Sequence, residues 1–375
     1  TFDTPSPDFG SSDGFGDGFG DGDGDGFGGS GGCFAAIPAA MKKRCTPAER
    51  LARLKEMGGS EKHEAAVVKA LDWITKTQNA DGSFRNQYQV AMTGLALLAY
   101  LGHCETPLSP KYGEAVEKAI VYLVNVAKKN EGKLGTDFKD NHWCYEHAIA
   151  TYALAEAYTL CKEFKLTIPK LEETVLAAGQ WIITNQNDNG GWAYSYATSG
   201  GHADSSITCW HLQALKACKI TKLQFKDLEK SAKYGVRYLE TCKTSRSTVG
   251  YLPGSKGHQA TSMTAGAVLC FQQWGKGRRS LARSAIKWLG ETNNFHYKKH
   301  ADLYIHYYAS QVMINSGGRD WADFNEKTMT NLAAHQNVDG SWSSPTGSHY
   351  MDSTHYSTCM AILMLEVYYR FLPSS

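Results

Sequence analysis

Five clusters of polar side chains stand at the starts of apolar stretches. They are His142, Trp143, Tyr145, Glu146 and His147; His202, Asp204, Ser205 and Ser206; His258, Gln259, Thr261 and Ser262; His300, Asp302, Tyr304 and His306; and Asp352, Thr354, His355 and Tyr356. Carboxylates and imidazoles are the groups that move protons in general acid–base catalysis. Asp, Ser and Thr also cap helix starts, so capping accounts for part of the pattern. It does not account for a histidine in every cluster, because His is not a preferred cap. The clusters are therefore expected to line one site, with Asp204, His147 and His355 as its acid–base residues. Trp143, Glu146, His202, His258, Tyr304 and Tyr356 are expected to contact the ligand.

The elements that must position these groups follow from periodicity. Val67, Ala70, Leu71 and Ile74 obey the i, i+3, i+4, i+7 rule, and so do Val116, Ala119, Ile120 and Leu123. Each such amphipathic stretch is followed by one that is apolar nearly all round, such as AMTGLALLAYL (91–101), which reads as buried on several sides. Six such pairs are expected, with Trp73, Tyr122, Trp181, Tyr238, Trp288 and Asn331 at matching places in the outer helices. An open stack of hairpins needs polar end faces. The last stretch, CMAILMLEVYYRFL (359–372), has none, so the stack is expected to close on itself. The predicted fold is all-α, an α6/α6 toroid, with the polar helix starts gathered at one rim of a central cavity.

Three loops repeat almost the same residues: QNADGSF (78–84), QNDNGGW (186–192) and QNVDGSW (336–342). The Gly accepts the left-handed conformation of a helix stop. The Gln amide is expected to bond carbonyls at the end of its own helix, and the aromatic to fold back on that end.

Residues 1–45 read as a disordered Gly/Asp-rich arm, 46–59 as a leading helix and 60–375 as the toroid. The arm cannot bury enough apolar surface to offset its ordering entropy. Asp21, Asp23, Asp25 and Gly26 match half of a calcium loop, but Gly32 stands where a bidentate Glu belongs. Thr46-Pro47-Ala48-Glu49 is a capping box for the leading helix. A net charge of +2 gives no reason to expect nucleic acid, and no apolar run is long enough to cross a bilayer. Lys42-Lys43-Arg44 reads as a solvated approach to the leading helix. The ten cysteines form no CxxC pair, and Cys144, Cys209, Cys270 and Cys359 fall in apolar stretches. That usage leans toward a reducing compartment. The chain starts at Thr1; the arm is a candidate tether to a segment upstream, and a membrane anchor there stays open.

The repeated loops resemble the QW repeats of squalene and hopene cyclases. More broadly, residues 60–373 resemble the prenyltransferase/squalene-oxidase repeat group. WCYEHAIATYALAEAY (143–158), DSSITCWHLQALKA (204–217) and YSTCMAILMLEVYYRFLP (356–373) strengthen the likeness, which is greatest to uncharacterised planctomycete and verrucomicrobial repeat proteins. The resemblance implies an α/α toroid and a hydrophobic, isoprenoid-type ligand. It does not carry one reaction, because a single fold hosts several. The cyclases' DxDD acid is absent; a lone Asp204 takes its place and, as a helix cap, is expected to be ionised. The prenyltransferases' zinc ligands are matched in Asp352-Ser353-Thr354-His355, but Asp302-Leu303-Tyr304 has Tyr in place of Cys. A zinc site from Asp302, His306 and His355, with His300 as the alternative to His306, is the corresponding expectation. A glycan-active enzyme using two carboxylates, and a non-catalytic interaction module tethered by the arm, stay open as alternatives.

Overall fold

The computed structural model describes residues 44–200, 203–245, 247–255, 260–299, 301–345 and 353–370. The Gly/Asp-rich arm, His202, His258, His300 and Asp352 lie outside them. A short leading helix, α1 (Pro47–Glu56), starts at Thr46, whose hydroxyl oxygen accepts the Glu49 N–H at 3.3 Å, and stops at Gly58, where φ is +78°. Six helical pairs follow. They are α2 (Glu61–Lys76) with α3 (Gln89–Gly102), α4 (Gly113–Lys129) with α5 (Trp143–Glu163), and α6 (Leu171–Thr184) with α7 (Ser205–Ile220). Next come α8 (Leu228–Thr241) with α9 (Ala260–Gln273), and α10 (Ser280–Thr292) with α11 (Leu303–Ser316). In the last pair the outer member is α12 (Gly318–Phe324), a π turn (Asn325–Met329) and α13 (Thr330–Ala333), and the inner member is α14 (Thr354–Leu365). A two-residue antiparallel pair, β1 (Trp192–Ala193) with β2 (Ala203–Asp204), ties the loop before α7.

The outer helices are amphipathic; α4 buries Ala115, Val116, Ala119, Ile120 and Leu123 and exposes its charged face. The inner helices are buried all round, as in α3 from Val90 to Gly102. Each inner helix packs on the next, and α14 packs on α3, which closes the ring. The outer ring closes too, where α13 meets α2. The α/α toroid expected from the sequence is therefore the observed fold. Among the described residues no helix is long and apolar enough to cross a membrane.

The repeated Gln-Asn loops are the clasps between outer helices. The Gln78 amide donates to Gly82 O at 3.0 Å and to Ala115 O, in the next outer helix, at 2.9 Å. Gln186 does the same to Gly190 O and Ser231 O, and Gln336 to Gly340 O and Ala66 O. The partner is thus the neighbouring helix and not the carbonyls of the glutamine's own helix end. Those carbonyls are met by the aromatic: the indole N–H of Trp192 donates to Ile182 O at 2.8 Å, and that of Trp342 to Leu332 O at 2.9 Å. The loop is anchored inward by a threonine. Thr93, Thr208, Thr264 and Thr358 accept the backbone N–H of Phe84, Trp192, Val249 and Trp342.

One expectation about the start of the described residues is corrected. Arg44 is not solvated; it is buried, and its guanidinium pairs with Glu156 at 2.8 Å. Cys45 and Cys104 form a disulfide that staples the leading segment to the end of α3. Cys144, Cys161, Cys209, Cys218, Cys242, Cys270 and Cys359 are free and buried.

Candidate functional site

A cavity of about 370 Å³ opens among the starts of the inner helices. Each of the six repeats gives it one tyrosine: Tyr88, Tyr145, Tyr194, Tyr251, Tyr304 and Tyr356. Tyr145, Tyr304 and Tyr356 stand in the first turns of α5, α11 and α14; Tyr88 immediately precedes α3, Tyr194 directly follows β1, and Tyr251 lies in the loop between α8 and α9. Ala91, Met92, Leu95, Ile149 and Trp210 complete an apolar wall, and His142, Glu146 and Ser206 add polar atoms. Trp210 is held by stacking on Tyr307, with ring centroids 5.6 Å apart.

Asp204 lies directly behind this wall, 1% exposed, as the N-cap of α7. Its Oδ1 is 2.5 Å from Ser206 Oγ and accepts the Ile207 N–H at 2.9 Å, and its Oδ2 is 2.9 Å from the Tyr251 hydroxyl. Tyr251 is 3.1 Å from the Tyr194 hydroxyl, Tyr194 is 3.3 Å from the Tyr145 hydroxyl, and Tyr145 is 2.6 Å from Ser206 Oγ. Five groups thus form a closed ring of hydrogen bonds. Burial pushes the Asp204 carboxyl above its usual range, against the hydrogen bonds from Ser206, Ile207 and Tyr251. The helix-cap argument favoured the anion; desolvation outweighs it here.

Glu146 lines the cavity itself. Its Oε1 accepts the Thr136 N–H at 2.9 Å, and its Oε2 accepts the Thr136 hydroxyl at 2.6 Å and the Ala91 N–H, at the start of α3, at 3.3 Å. Burial raises this carboxyl too, with the same bonds opposing. His142 sits at the rim, its Nδ1 2.7 Å from Asp140 and its ring stacked on Tyr145.

Of the ligand contacts expected from the sequence, Glu146, Tyr304 and Tyr356 line the cavity, and Trp143 does not. Trp143 packs behind it against Phe138 and Tyr196. His147 is also part of the frame. Its Nδ1 accepts the Leu134 N–H at 2.9 Å and its Nε2 donates to Ala178 O at 3.1 Å, so in α5 it takes the loop-anchoring place that Thr93 takes in α3. His306 bonds Asp302 O at 2.6 Å and lies 3.3 Å from Asn293 Oδ1. His355 lies against Phe84 and Trp73, with Cys359 Sγ 3.6 Å from its Nε2. The Asp302 carboxylate caps its own helix, accepting from the N–H groups of Tyr304 and Ile305. Asp302, His306 and His355 are not brought together, and among the described residues no group of three or more His, Cys, Asp or Glu side chains is placed to hold a metal ion.

Tyr88, Tyr194, Tyr251, Met92, Leu95 and Ile149 were not singled out from the sequence. The available signal was one tyrosine per repeat near each inner-helix start. It was masked because the offset from the helix start differs between repeats.

The framing histidines set an acid sensitivity. His211 in α7 joins them, its ring 2.8 Å from both Ile207 O and the Tyr196 hydroxyl. Burial lowers His147 and His211 to about 3, and His306 and His355 to about 4. Each is neutral in the fold and takes up a proton on unfolding once the pH falls below its ordinary value of about 6.5. The unfolded chain then binds more protons than the folded one, so stability rises with pH across this window. Urea midpoints are expected to fall steadily from about pH 6.5 to pH 4. A flat profile over that range would show that these imidazoles are not held neutral.

No family model matches the chain, and no curated protein matches it. Solved structures do. The GH76A alpha-1,6-mannanase of Salegentibacter sp. HEL1_6 superposes with a TM-score of 0.59 at 11% identity, over 81% of this chain and 98% of that one. A GH76 alpha-mannanase of Bacteroides thetaiotaomicron gives 0.58 at 12% identity, over 84% and 97%. The type II terpene cyclase MstE of Scytonema gives 0.53 at 13% identity, over 82% and 97%. At these identities the likeness is one of fold: the chain shares the α/α toroid with two kinds of enzyme.

Proposed function

We propose that this chain binds an apolar, isoprenoid-type small molecule in the tyrosine-lined cavity, with Asp204 as an acid held behind its wall. The observation that carries the reading is the wall itself. Six phenol rings, Trp210 and four aliphatic or thioether side chains enclose a space of about 370 Å³, within the range of small-molecule sites. Such a surface, apolar over most of its area, gains from desolvating hydrocarbon, while its six phenol hydroxyls, His142, Glu146 and Ser206 supply isolated polar atoms. The fold likeness to MstE, seen with geranylgeranyl dihydroxybenzoate, agrees with this. The repeated Gln-Asn clasps are read as QW-type repeats for the same reason.

A glycan-active enzyme is the second reading, favoured by the likeness to the mannanases and by two buried carboxyl groups, Glu146 and Asp204. An inactive variant of the Salegentibacter mannanase has two neighbouring aspartates replaced. This chain contains no Asp-Asp pair anywhere, which weighs against transfer of that chemistry.

Mass spectrometry of a solvent extract of the purified protein separates the two. An isoprenoid or similarly apolar compound near one equivalent is the expected result. Retention of mannotriose in equilibrium dialysis, with no apolar compound extracted, would transfer the assignment to the glycan reading.

A further inference from the structure

The ring of hydrogen bonds around Asp204 has five edges, and each edge needs one hydrogen. Tyr145, Tyr194, Tyr251 and Ser206 bring one hydroxyl hydrogen each. With Asp204 ionised, four hydrogens serve five edges. Tyr251 and Ser206 then donate to the carboxylate, Tyr194 donates to Tyr251, and Tyr145 donates to Ser206. The contact left without a hydrogen is the Tyr145–Tyr194 edge, which is the longest of the five at 3.3 Å. A fifth hydrogen, on the Asp204 carboxyl, completes the ring. Hydrogen counting and burial therefore act in the same direction, and both favour a proton on Asp204.

Asp204 does not itself reach the cavity; Tyr251, Tyr194, Tyr145 and Ser206 do. The edge that costs least to open is Tyr145–Tyr194. An oxygen atom of a ligand placed there takes over as acceptor from Tyr194, and the ring becomes a chain running from Asp204 through Tyr251 and Tyr194 to the ligand. All five hydrogens stay bonded in that arrangement.

We propose that this chain of hydroxyls is a proton relay, that Tyr194 is the donor touching the ligand, and that the ligand joins an apolar body to one acceptor oxygen. The proposal rests on the apolar-ligand reading above and adds the oxygen and the route. In the transfer, Tyr194 gives its hydrogen to the ligand oxygen and receives that of Tyr251, which in turn receives that of Asp204. Three O–H bonds break and three form. The electron pair of the Asp204 O–H bond stays on the carboxylate, which the Ser206 hydroxyl and the Ile207 N–H stabilise. The positive charge appears on the ligand oxygen; when the adjoining C–O bond breaks, its electron pair goes to that oxygen, which leaves as a neutral alcohol, and the charge passes to the carbon, where water adds and loses a proton. A carboxylic acid acting through neutral hydroxyls is strong enough for an ether or acetal oxygen. It is a weak donor to a plain alkene.

The test uses the whole chain and three probes. Farnesylacetone carries a ketone oxygen on an isoprenoid body, β-farnesene lacks the oxygen, and farnesal dimethyl acetal hydrolyses with water when its methoxy oxygen is protonated. Farnesylacetone is expected to bind about tenfold more tightly than farnesene, the worth of one good hydrogen bond, with its infrared carbonyl stretch shifted down. Acetal hydrolysis is expected to run about a hundredfold above the uncatalysed rate. Tyr194→Phe and Asp204→Asn should each remove the acceleration while farnesene still binds; Tyr194→Phe should also remove the carbonyl shift. Equal binding of ketone and hydrocarbon, or hydrolysis unchanged in Tyr194→Phe, would overturn the relay and leave the apolar-ligand reading intact. Failure of both farnesylacetone and farnesene to bind would remove that reading itself.

Discussion

Gly340→Ala should destabilise the protein by roughly 3 kcal/mol, the sum of a strained backbone and a blocked contact. Gly340 has φ of +97°, where an L side chain is disfavoured. A Cβ there would also stand 2.4 Å from Lys69 O and 2.8 Å from Lys69 C, in the backbone of α2. That contact is the seam at which the sixth repeat meets the first, and Gln336 spans it with its bond to Ala66 O. The first and third repeats use the same device: Gly82 approaches Lys118 O, and Gly190 approaches Tyr234 O. Gly254→Ala separates the two costs. Gly254 has φ of +78° but nothing within 4 Å of its would-be Cβ, so it should lose only about 1 kcal/mol for the backbone. Urea unfolding of both variants measures the difference, and equal losses would mean that the seam does not depend on this close approach.

Glu156→Gln should cost about 3 to 5 kcal/mol, because it leaves buried positive charge without its counter-ion. Glu156 lies at the far end of the toroid from the cavity. One carboxylate oxygen meets Arg44 at 2.8 Å and the other meets Arg370 at 3.3 Å, and the three side chains are at most 5% exposed. Arg370 also donates to the Tyr152 hydroxyl at 3.1 Å. Glu366 lies in the same buried cluster, where desolvation pushes its carboxyl well up, against the Arg370 and Arg44 charges. Arg370→Met combined with Glu156→Gln should therefore lose clearly less than the two single losses added together. Strict additivity would contradict the view that Arg44 and Arg370, from opposite ends of the described chain, meet on one carboxylate.

The architecture was legible because helix period and burial are written in the same residues. An all-apolar α3 and an equally apolar α14 each need covering, and the covering that serves both is the other. The clasp loops were legible as turns, but not their partners. A glutamine amide bonds whatever carbonyl lies within reach, and what lies within reach here is a helix in the neighbouring repeat. The site was legible only in part. Tyr304, Tyr356 and Glu146 face the cavity as expected from their place at helix starts. His147 and His306 were read as functional because histidine is a poor cap, yet both serve the frame through ring nitrogens that bond backbone or a neighbouring amide. Arg44 looked solvated beside two lysines, because its partner Glu156 lies more than a hundred residues away in the chain. Asp204 was expected to be ionised from its helix position alone. Its burial, and the ring of hydroxyls around it, depend on Tyr145, Tyr194 and Tyr251 from three different repeats.

The central claim is that six repeats each turn one tyrosine into a common chamber that takes an apolar ligand. Calorimetric titration with geranylgeraniol, on the natural chain and on Leu95→Trp, tests it most directly. Saturable binding with a negative heat-capacity change is expected, lost when the bulkier ring fills the chamber. Absence of binding, or binding that Leu95→Trp leaves untouched, would contradict it.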